Sequence, residues 1–177
     1  MSSAINTIVP TDSSYEVSVV SFGSTAAIDV NHILIDSVAS RTAVANAISS
    51  IGFTGAGTNM TAAFNTMATA LTGSTLMIDN TYVNLATDGV PNNQNLAVAA
   101  RNALLSGASV DNLSIEAIGS GVNACFLQNS ICFPGPCTIA PTFCLTVSKS
   151  RWQTRPNMPR RLQIKFRSLP TRCRNPA

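Results

Sequence analysis

The chain has 177 residues and a mass of 18.5 kDa, enough for one globular domain with a packed core but not for two. Hydrophobic residues make up 45% of it and charged residues only 11%, which excludes a disordered polyelectrolyte and a coiled coil. No apolar run approaches the roughly 18 residues that span a bilayer, and the N-terminus lacks the features of a signal peptide. The single histidine, His32, excludes sites built from several imidazoles.

Charge is distributed unevenly along the chain. Residues 1–148 contain all eight acidic side chains and two of the eleven basic ones, whereas residues 149–177 contain nine basic side chains and no acidic one. Such a break in composition marks a boundary. We therefore predict three segments: an α/β unit over 1–124, a Cys- and Pro-rich loop segment over 125–148, and a basic, disordered tail over 149–177.

Strands and helices alternate over the first segment. Valine-rich Glu16–Phe22 predicts a buried strand, and two shorter extended pieces are expected on either side of His32. Helical periodicity or strand patterning then predicts, in order, a helix over Arg41–Ile51, a helix over Thr58–Leu71, a strand over Thr81–Ala86, a helix over Gln94–Leu105 and a strand over Leu113–Ile118. This alternation implies parallel βαβ units around a central sheet.

Each predicted helix carries an apolar stripe that is expected to face the core. The members are Val44, Ile48 and Ile51 in the first helix, Phe64, Met67 and Leu71 in the second, and Leu96, Ala100 and Leu104 in the third.

Two loops are expected to carry oxygen ligands to the same edge of the sheet. Thr58 stands at the start of a helix in the stretch GAGTN, and Asp88 follows a strand in LATDGVPN. Ligands of open parallel sheets bind outside the carboxyl ends of the strands. A hydroxyl and a carboxylate, completed by water, suit a hard cation such as Mg²⁺. The alternative is that Thr58 caps a helix and Asp88 forms a turn.

The order of these motifs resembles the von Willebrand factor type A (VWFA) domain. The resemblance covers roughly Ile5–Val122 and rests on Gly-Thr-Asn before a helix, a strand ending in Thr-Asp-Gly-x-Pro, and a later strand ending in Ile-Gly-x-Gly. It implies a Rossmann-like three-layer sandwich with a mostly parallel central sheet. It also implies a non-enzymatic ligand-binding or adhesion module.

In that family, a metal-ion-dependent adhesion site (MIDAS) joins a DxSxS loop, a threonine and an aspartate. By position in the motifs, the resemblance implies that Thr58 and Asp88 bind Mg²⁺ or another divalent cation. It also implies that Gly57, Asn59 and Gly89 shape the two loops. An acidic group on a protein or surface ligand would complete the coordination sphere.

One motif of the family has no counterpart here. In the family, DxSxS lies at the end of the first strand, which is central in the sheet. The nearest match here is the stretch Asp12–Ser14, which has the residue types without the spacing. The first strand is therefore expected to be missing. Such a strand buries about four large apolar side chains at ~1.5–3 kcal/mol each. Its loss is comparable with the whole stability of a domain, about 5–15 kcal/mol. We therefore expect the chain to be unstable on its own, with an incomplete site and weak or absent cation binding.

The cysteines suggest cross-linking. Cys125, Cys132, Cys137 and Cys144 lie close together in the Pro-rich segment, and Cys173 is left over. The stretch CFPGPC favours a small disulfide loop between Cys132 and Cys137, as in an exported protein. Free thiols are one alternative, and zinc ligation is another that the spacing fits poorly.

Two further function classes remain as alternatives. Gly119–Ala124 fits the loose dinucleotide fingerprint G-x-G-x-x-A, which would suit a nucleotide-binding Rossmann-like enzyme, but it follows the last βα unit rather than the first. The basic tail, with Trp152 and Phe166 between its arginines, would suit nucleic acid. We rank both below the cation-dependent binding module.

A second reading frame offers another origin for the tail. With synonymous codons chosen for Asn157–Ala177, a shift of two bases permits the translation YAAAIANKIQVVTDAVPEPA. This string resembles the start of the PEP-CTERM sorting signal of exported Gram-negative proteins, some of which carry VWFA domains. The hypothesis is a frameshift near Phe143–Lys149, in a protein whose family type is extracellular or at the cell surface. The nucleotide sequence of the gene tests it.

Overall fold

The fold was obtained as a computed structural model, which describes residues 5–6, 9–52, 57–74 and 80–136. The elements follow one another as β1 (Glu16–Phe22), β2 (Ala26–Leu34), α1 (Val38–Ser50), α2 (Met60–Thr72), β3 (Thr81–Thr87), α3 (Gln94–Gly107) and β4 (Val110–Ala117), then a short helical turn (Ala124–Phe126) and a π-helical turn (Leu127–Ile131). The predicted α/β class, a Rossmann-like α/β fold, is confirmed.

Side-chain oxygens set where the three helices begin. Ser37, Asn59 and Asn93 each accept a hydrogen bond from a backbone N–H in the first turn of α1, α2 and α3. Such capping satisfies N–H groups that have no partner inside the helix. The first two helices therefore begin away from the predicted residues: α1 three residues earlier, at Val38, and α2 two residues later, at Met60.

The strands form two separate two-stranded sheets. β1 pairs with β2 in antiparallel orientation, and β3 pairs with β4 in parallel. Among the described residues no strand joins β1 to β3, so the two pairs do not form one continuous sheet. This division agrees with the prediction that a central strand is missing. One sheet would require a further strand that hydrogen-bonds to β1 on one side and to β3 on the other.

Helix α2 connects the two sheets. It contacts β1, β2 and α3, and its buried Met60 and Phe64 share a hydrophobic cluster with Val83 and Leu85 of β3. Phe22, the last residue of β1, packs against the same cluster. The carboxyl ends of β1 and β3 are thus brought under one helix although the strands do not pair.

Two hydrophobic clusters of different size hold the described residues together. The larger one includes Leu104 of α3 and Leu113 of β4, both fully buried. The smaller one consists of Val30, Ile35 and Val44, with Ile5, Val9, Val17, Val19, Ala47 and Ile48 packed around it.

The larger cluster continues past residue 124, where the sequence pattern shows only a loop-rich stretch. Leu127 and Ile131 of the π-helical turn are fully buried in it. Leu113 and Phe133 exchange two backbone hydrogen bonds of 2.8 and 3.0 Å, and Arg101 donates to the carbonyl of Ile131. Residues 137–177, which include the predicted basic tail, lie outside the described residues.

The two short extended pieces predicted on either side of His32 form one continuous strand, β2, which includes His32. The residue has φ of 53° inside the continuous strand β2. Its Nδ1 atom lies 2.6 Å from Oε1 of Glu16, and its backbone N–H donates to the Ser18 hydroxyl at 3.1 Å. The side chain therefore has a structural role between β1 and β2, away from the Thr58 and Asp88 loops.

Candidate cation site

The loop before α2 is fixed to the end of β1. The backbone N–H of Asn59 donates to the Gly23 carbonyl at 2.8 Å, and its side-chain amide donates to the Ser24 carbonyl at 2.9 Å. The Oδ1 atom of the same side chain accepts from the N–H of Ala62 at 3.0 Å. Asn59, rather than Thr58, therefore caps the helix, and the capping alternative for Thr58 is wrong.

The same loop is also fixed to the loop after β3. The N–H of Thr58 donates to Oδ1 of Asn92 at 3.1 Å, and the N–H of Asn92 donates to the Thr58 carbonyl at 3.0 Å. Gly57, which precedes Thr58, has φ of 69°, a conformation that favours glycine. This reciprocal pair holds the Thr58 backbone at the carboxyl end of β3.

Gly89 leaves room for the Thr58 side chain. A Cβ atom at position 89 would overlap the Thr58 hydroxyl oxygen, so the hydroxyl packs directly against the Gly89 backbone. Asp88 is the neighbouring residue and is exposed. The structure therefore places Thr58 and Asp88 in adjoining loops at one edge of the molecule, as the sequence predicts for residues that would share a cation.

A third loop, after β4, closes the other side of Asp88. Ile118 donates its N–H to the Thr87 carbonyl at 2.8 Å, and a Cβ atom at Gly121 would lie 3.0 Å from the Asp88 carbonyl oxygen. The sequence reasoning did not assign a role to Asn92 or Gly121. Their signals, VPNN and Ile-Gly-x-Gly, are visible in the sequence, but the contacts they make span more than 30 residues.

The electrostatics of the edge favour a cation. Within the described ranges, neither the Thr58 hydroxyl nor the Asp88 carboxylate has a hydrogen-bond or ion-pair partner. The two basic residues of this part of the chain are engaged elsewhere, since Arg41 donates to the Val9 carbonyl and Arg101 to the Ile131 carbonyl. Asp88 therefore presents an uncompensated negative charge.

The donor set fits a divalent cation only in part. A hard cation takes about six oxygen ligands, and the candidate ligands among the described residues are the Thr58 hydroxyl and the Asp88 carboxylate. Among the described residues, no group of three or more His, Cys, Asp or Glu side chains could hold a metal ion. Water and an external ligand would have to supply the remaining oxygens.

The structure is similar to the crystal structure of the manganese-loaded TRAP protein of Plasmodium vivax, with a TM-score of 0.57 and 26% sequence identity. The match covers 72% of this chain and 50% of that one, so this chain spans about half of that protein's length. That protein carries a type A domain, which supports a VWFA-like fold here. No protein-family model matches the chain, and no curated protein matches it.

Two cysteines of the Pro-rich segment are oxidised. Cys125 and Cys132 are each disulfide-bonded. For these two residues the free-thiol and zinc alternatives are therefore wrong. The predicted partner of Cys132, Cys137, lies outside the described residues, so that pairing stays a prediction.

The alternative functions gain nothing from the fold. The helical segment after the G-x-G-x-x-A stretch is a three-residue turn (Ala124–Phe126) that continues as a π-helical turn and ends at Ile131. A dinucleotide fingerprint instead opens a regular α-helix after the first strand, with its N-terminus facing the pyrophosphate. The nucleic-acid alternative concerns residues 149–177, outside the described ranges, and a steep salt dependence of binding is its test.

In the part of the chain that the structure describes, no helix has both the length and the hydropathy needed to cross a membrane.

Proposed function

We propose that the chain is a non-enzymatic, VWFA-like binding module that engages a protein or surface ligand through a divalent cation held by Thr58 and Asp88. The observation that carries this proposal is the convergence of three loops at one edge. The Thr58 hydroxyl packs on Gly89, and Asp88 stands between that contact and the loop of Gly121.

The roles of the residues follow from their contacts. Asp88 supplies the charged oxygen and Thr58 a neutral one. Asn92 positions Thr58 through the two hydrogen bonds, and Asn59 ties the loop to β1. A bound Mg²⁺ or Mn²⁺ would supply positive charge with open coordination positions, which an acidic group of the ligand would fill. Because the described residues contribute one hydroxyl and one carboxylate, we propose a weak site, half-saturated at about 1 mM.

Two observations support this role and its setting. The similar TRAP structure is manganese-loaded, and its fold is shared here at a TM-score of 0.57. The disulfide bonds of Cys125 and Cys132 suit an oxidising compartment. We therefore propose an extracellular or cell-surface location. The PEP-CTERM relationship and a bacterial origin are a hypothesis from the sequence alone.

The experiment is a Mn²⁺ titration of the full chain, read out by the electron paramagnetic resonance signal of free Mn²⁺. Asp88→Asn should raise the half-saturation concentration about tenfold, because it removes the negative charge of the proposed site. The matched control is Asp111→Asn. Asp111 is also exposed but accepts a hydrogen bond from the Thr81 N–H at the opposite end of β3. Equal effects of the two substitutions would contradict the proposal.

A further inference from the structure

Three large apolar side chains are exposed at the edge where Asp88 lies. Val90 is 43% exposed, Leu96 is 55% exposed and Ile118 is 49% exposed. They come from the loop after β3, the first turn of α3 and the end of β4, respectively. None of them is among the buried members of either hydrophobic cluster or among the partly buried residues around them.

Backbone contacts place these residues around the candidate cation site. Val90 follows Asp88 by two residues, and Ile118 donates its N–H to the carbonyl of Thr87, which precedes Asp88. Leu96 donates its N–H to the side chain of Asn93, the residue after the one that pairs with Thr58. The apolar residues and the two candidate ligands therefore share one edge.

The position of Leu96 corrects the sequence pattern. The periodicity places Leu96 with Ala100 and Leu104 on the core face of α3. In the structure the buried residues of α3 are Ala97, Ala100 and Leu104, and Leu96 lies outside the core. Its side chain therefore lies outside the described core and is accessible to a partner at this edge.

The charge of the edge limits what that partner can be. Asp88 is negative, and the basic side chains of the described residues, Arg41 and Arg101, are bonded to backbone carbonyls elsewhere. A cation between Asp88 and a partner carboxylate would offset the repulsion between the two negative charges, and apolar groups beside that carboxylate would meet Val90, Leu96 and Ile118.

We propose that Val90, Leu96 and Ile118 form an apolar contact surface, and that the partner is a peptide segment whose acidic residue is flanked by aliphatic or aromatic side chains. This inference rests on the proposed function, since the cation anchors the acidic residue. The apolar surface adds affinity by removing hydrocarbon from water, and it selects against acidic segments with polar neighbours.

The test uses a displayed library of 12-residue peptides with a fixed central Asp, selected on the full chain in Mn²⁺ and eluted with EDTA. The eluted peptides should be enriched in Leu, Ile, Val, Met or Phe within two positions of the Asp. Val90→Ser, Leu96→Ser and Ile118→Ser should each weaken binding of these peptides roughly fivefold to tenfold. Each should leave Mn²⁺ affinity unchanged.

The matched control is Tyr82→Ser. Tyr82 is 67% exposed, more than any of the three, but lies at the start of β3, away from Asp88. It should leave peptide binding unchanged, and circular dichroism checks that all four variants fold. A chain that binds Mn²⁺ but selects peptides without apolar neighbours overturns this inference alone. A chain that binds no Mn²⁺ overturns the proposed function and this inference together.

Discussion

The half of the molecule built on β3, β4 and α3 is packed differently from the half built on β1, β2 and α1. The first half contains most of the larger cluster, with both Leu104 and Leu113 fully buried. The second half has a small cluster, and no residue of β1 is fully buried. Open clefts of about 400 and 260 Å³ run between β2 and α1, with Asp29 and Ala47 lining both.

The comparison teaches where the stability and the candidate site reside. The better packed half supplies Asp88 and Gly89, while the loop that carries Thr58 is tied to both halves through Asn59 and Asn92. The site thus spans the junction between a well packed unit and a loosely packed one. Substitutions in either half should therefore affect the candidate site, but they should lower the free energy of unfolding by different amounts.

The largest expected effect is a difference in stability loss between substitutions in the larger and in the smaller cluster. Leu104→Ala and Ile35→Ala both truncate a side chain that is 0% exposed. Leu104→Ala should cost about 2–5 kcal/mol, because it opens a cavity in the larger cluster. Ile35→Ala should cost less, because the smaller cluster has two other buried members, Val30 and Val44, and both of them line the cleft of about 260 Å³. Urea unfolding followed by circular dichroism measures both.

Hydrogen exchange sharpens that comparison. Leu104→Ala should accelerate exchange throughout the described residues, whereas Ile35→Ala should accelerate it in β1, β2 and α1 while β3 and β4 stay protected. If Ile35→Ala exposes the amides of β4 equally, the two halves unfold as one unit and the comparison fails.

The next effect tests the contact at the junction. Gly89→Ala should destabilise the chain by about 1–3 kcal/mol, since its methyl group would overlap the Thr58 hydroxyl. Adding Thr58→Ala should recover much of that loss, and a double-mutant cycle of thermal unfolding measures the coupling. Gly52→Ala is the control, because nothing lies within 4 Å of its added carbon.

Loss of a cap should be smaller and should differ between two asparagines. Asn59→Ala removes the cap of α2 together with the hydrogen bond to Ser24, so we expect a loss of about 1–2 kcal/mol. Asn93→Ala removes the cap of α3, at about 1 kcal/mol. Chemical denaturation compares them, and a smaller loss for Asn59→Ala would contradict its bridging role.

The smallest effect concerns pH. Hydrogen bonds from the Ser37 and Ser40 side chains hold the pKa of Asp36 below its ordinary value. The folded state therefore favours the carboxylate, and the resulting stability is present above the ordinary pKa and disappears as pH falls through the lowered one. Asp36→Asn should be slightly less stable than the native chain at pH 6, and the difference should vanish near pH 2 in thermal melts.

The sequence predicts local features better than the pairing of strands. The bounds of β1 are as predicted, because valine patterning and flanking turns are local signals. The division into two sheets depends on long-range hydrogen bonds, which periodicity does not encode. The π-helical turn that buries Leu127 and Ile131 was missed because five residues carry no helical stripe.

For the candidate site, the sequence predicts that the loops of Thr58 and Asp88 meet, but it does not predict the contacts that hold them together. Thr58 and Asp88 stand in motifs of recognisable order, and the sheet rule brings their loops together. Residue type alone did not decide between Asn59 and Thr58 as the cap, because both belong to the residue types favoured at that position. The exposure of Leu96 was not predicted because the buried residue next to it is Ala97. Alanine is only weakly hydrophobic, so the difference in hydrophobicity between the two sides of the helix is small.

The open edges of β1 and β3 have a practical consequence for the purified protein. In the described ranges, each strand hydrogen-bonds along one side only. A free strand edge recruits strands from neighbouring molecules, and flat intermolecular sheets grow from such contacts. We therefore expect the purified protein to aggregate, with turbidity that rises with protein concentration and with time. Storage at low protein concentration should slow this aggregation.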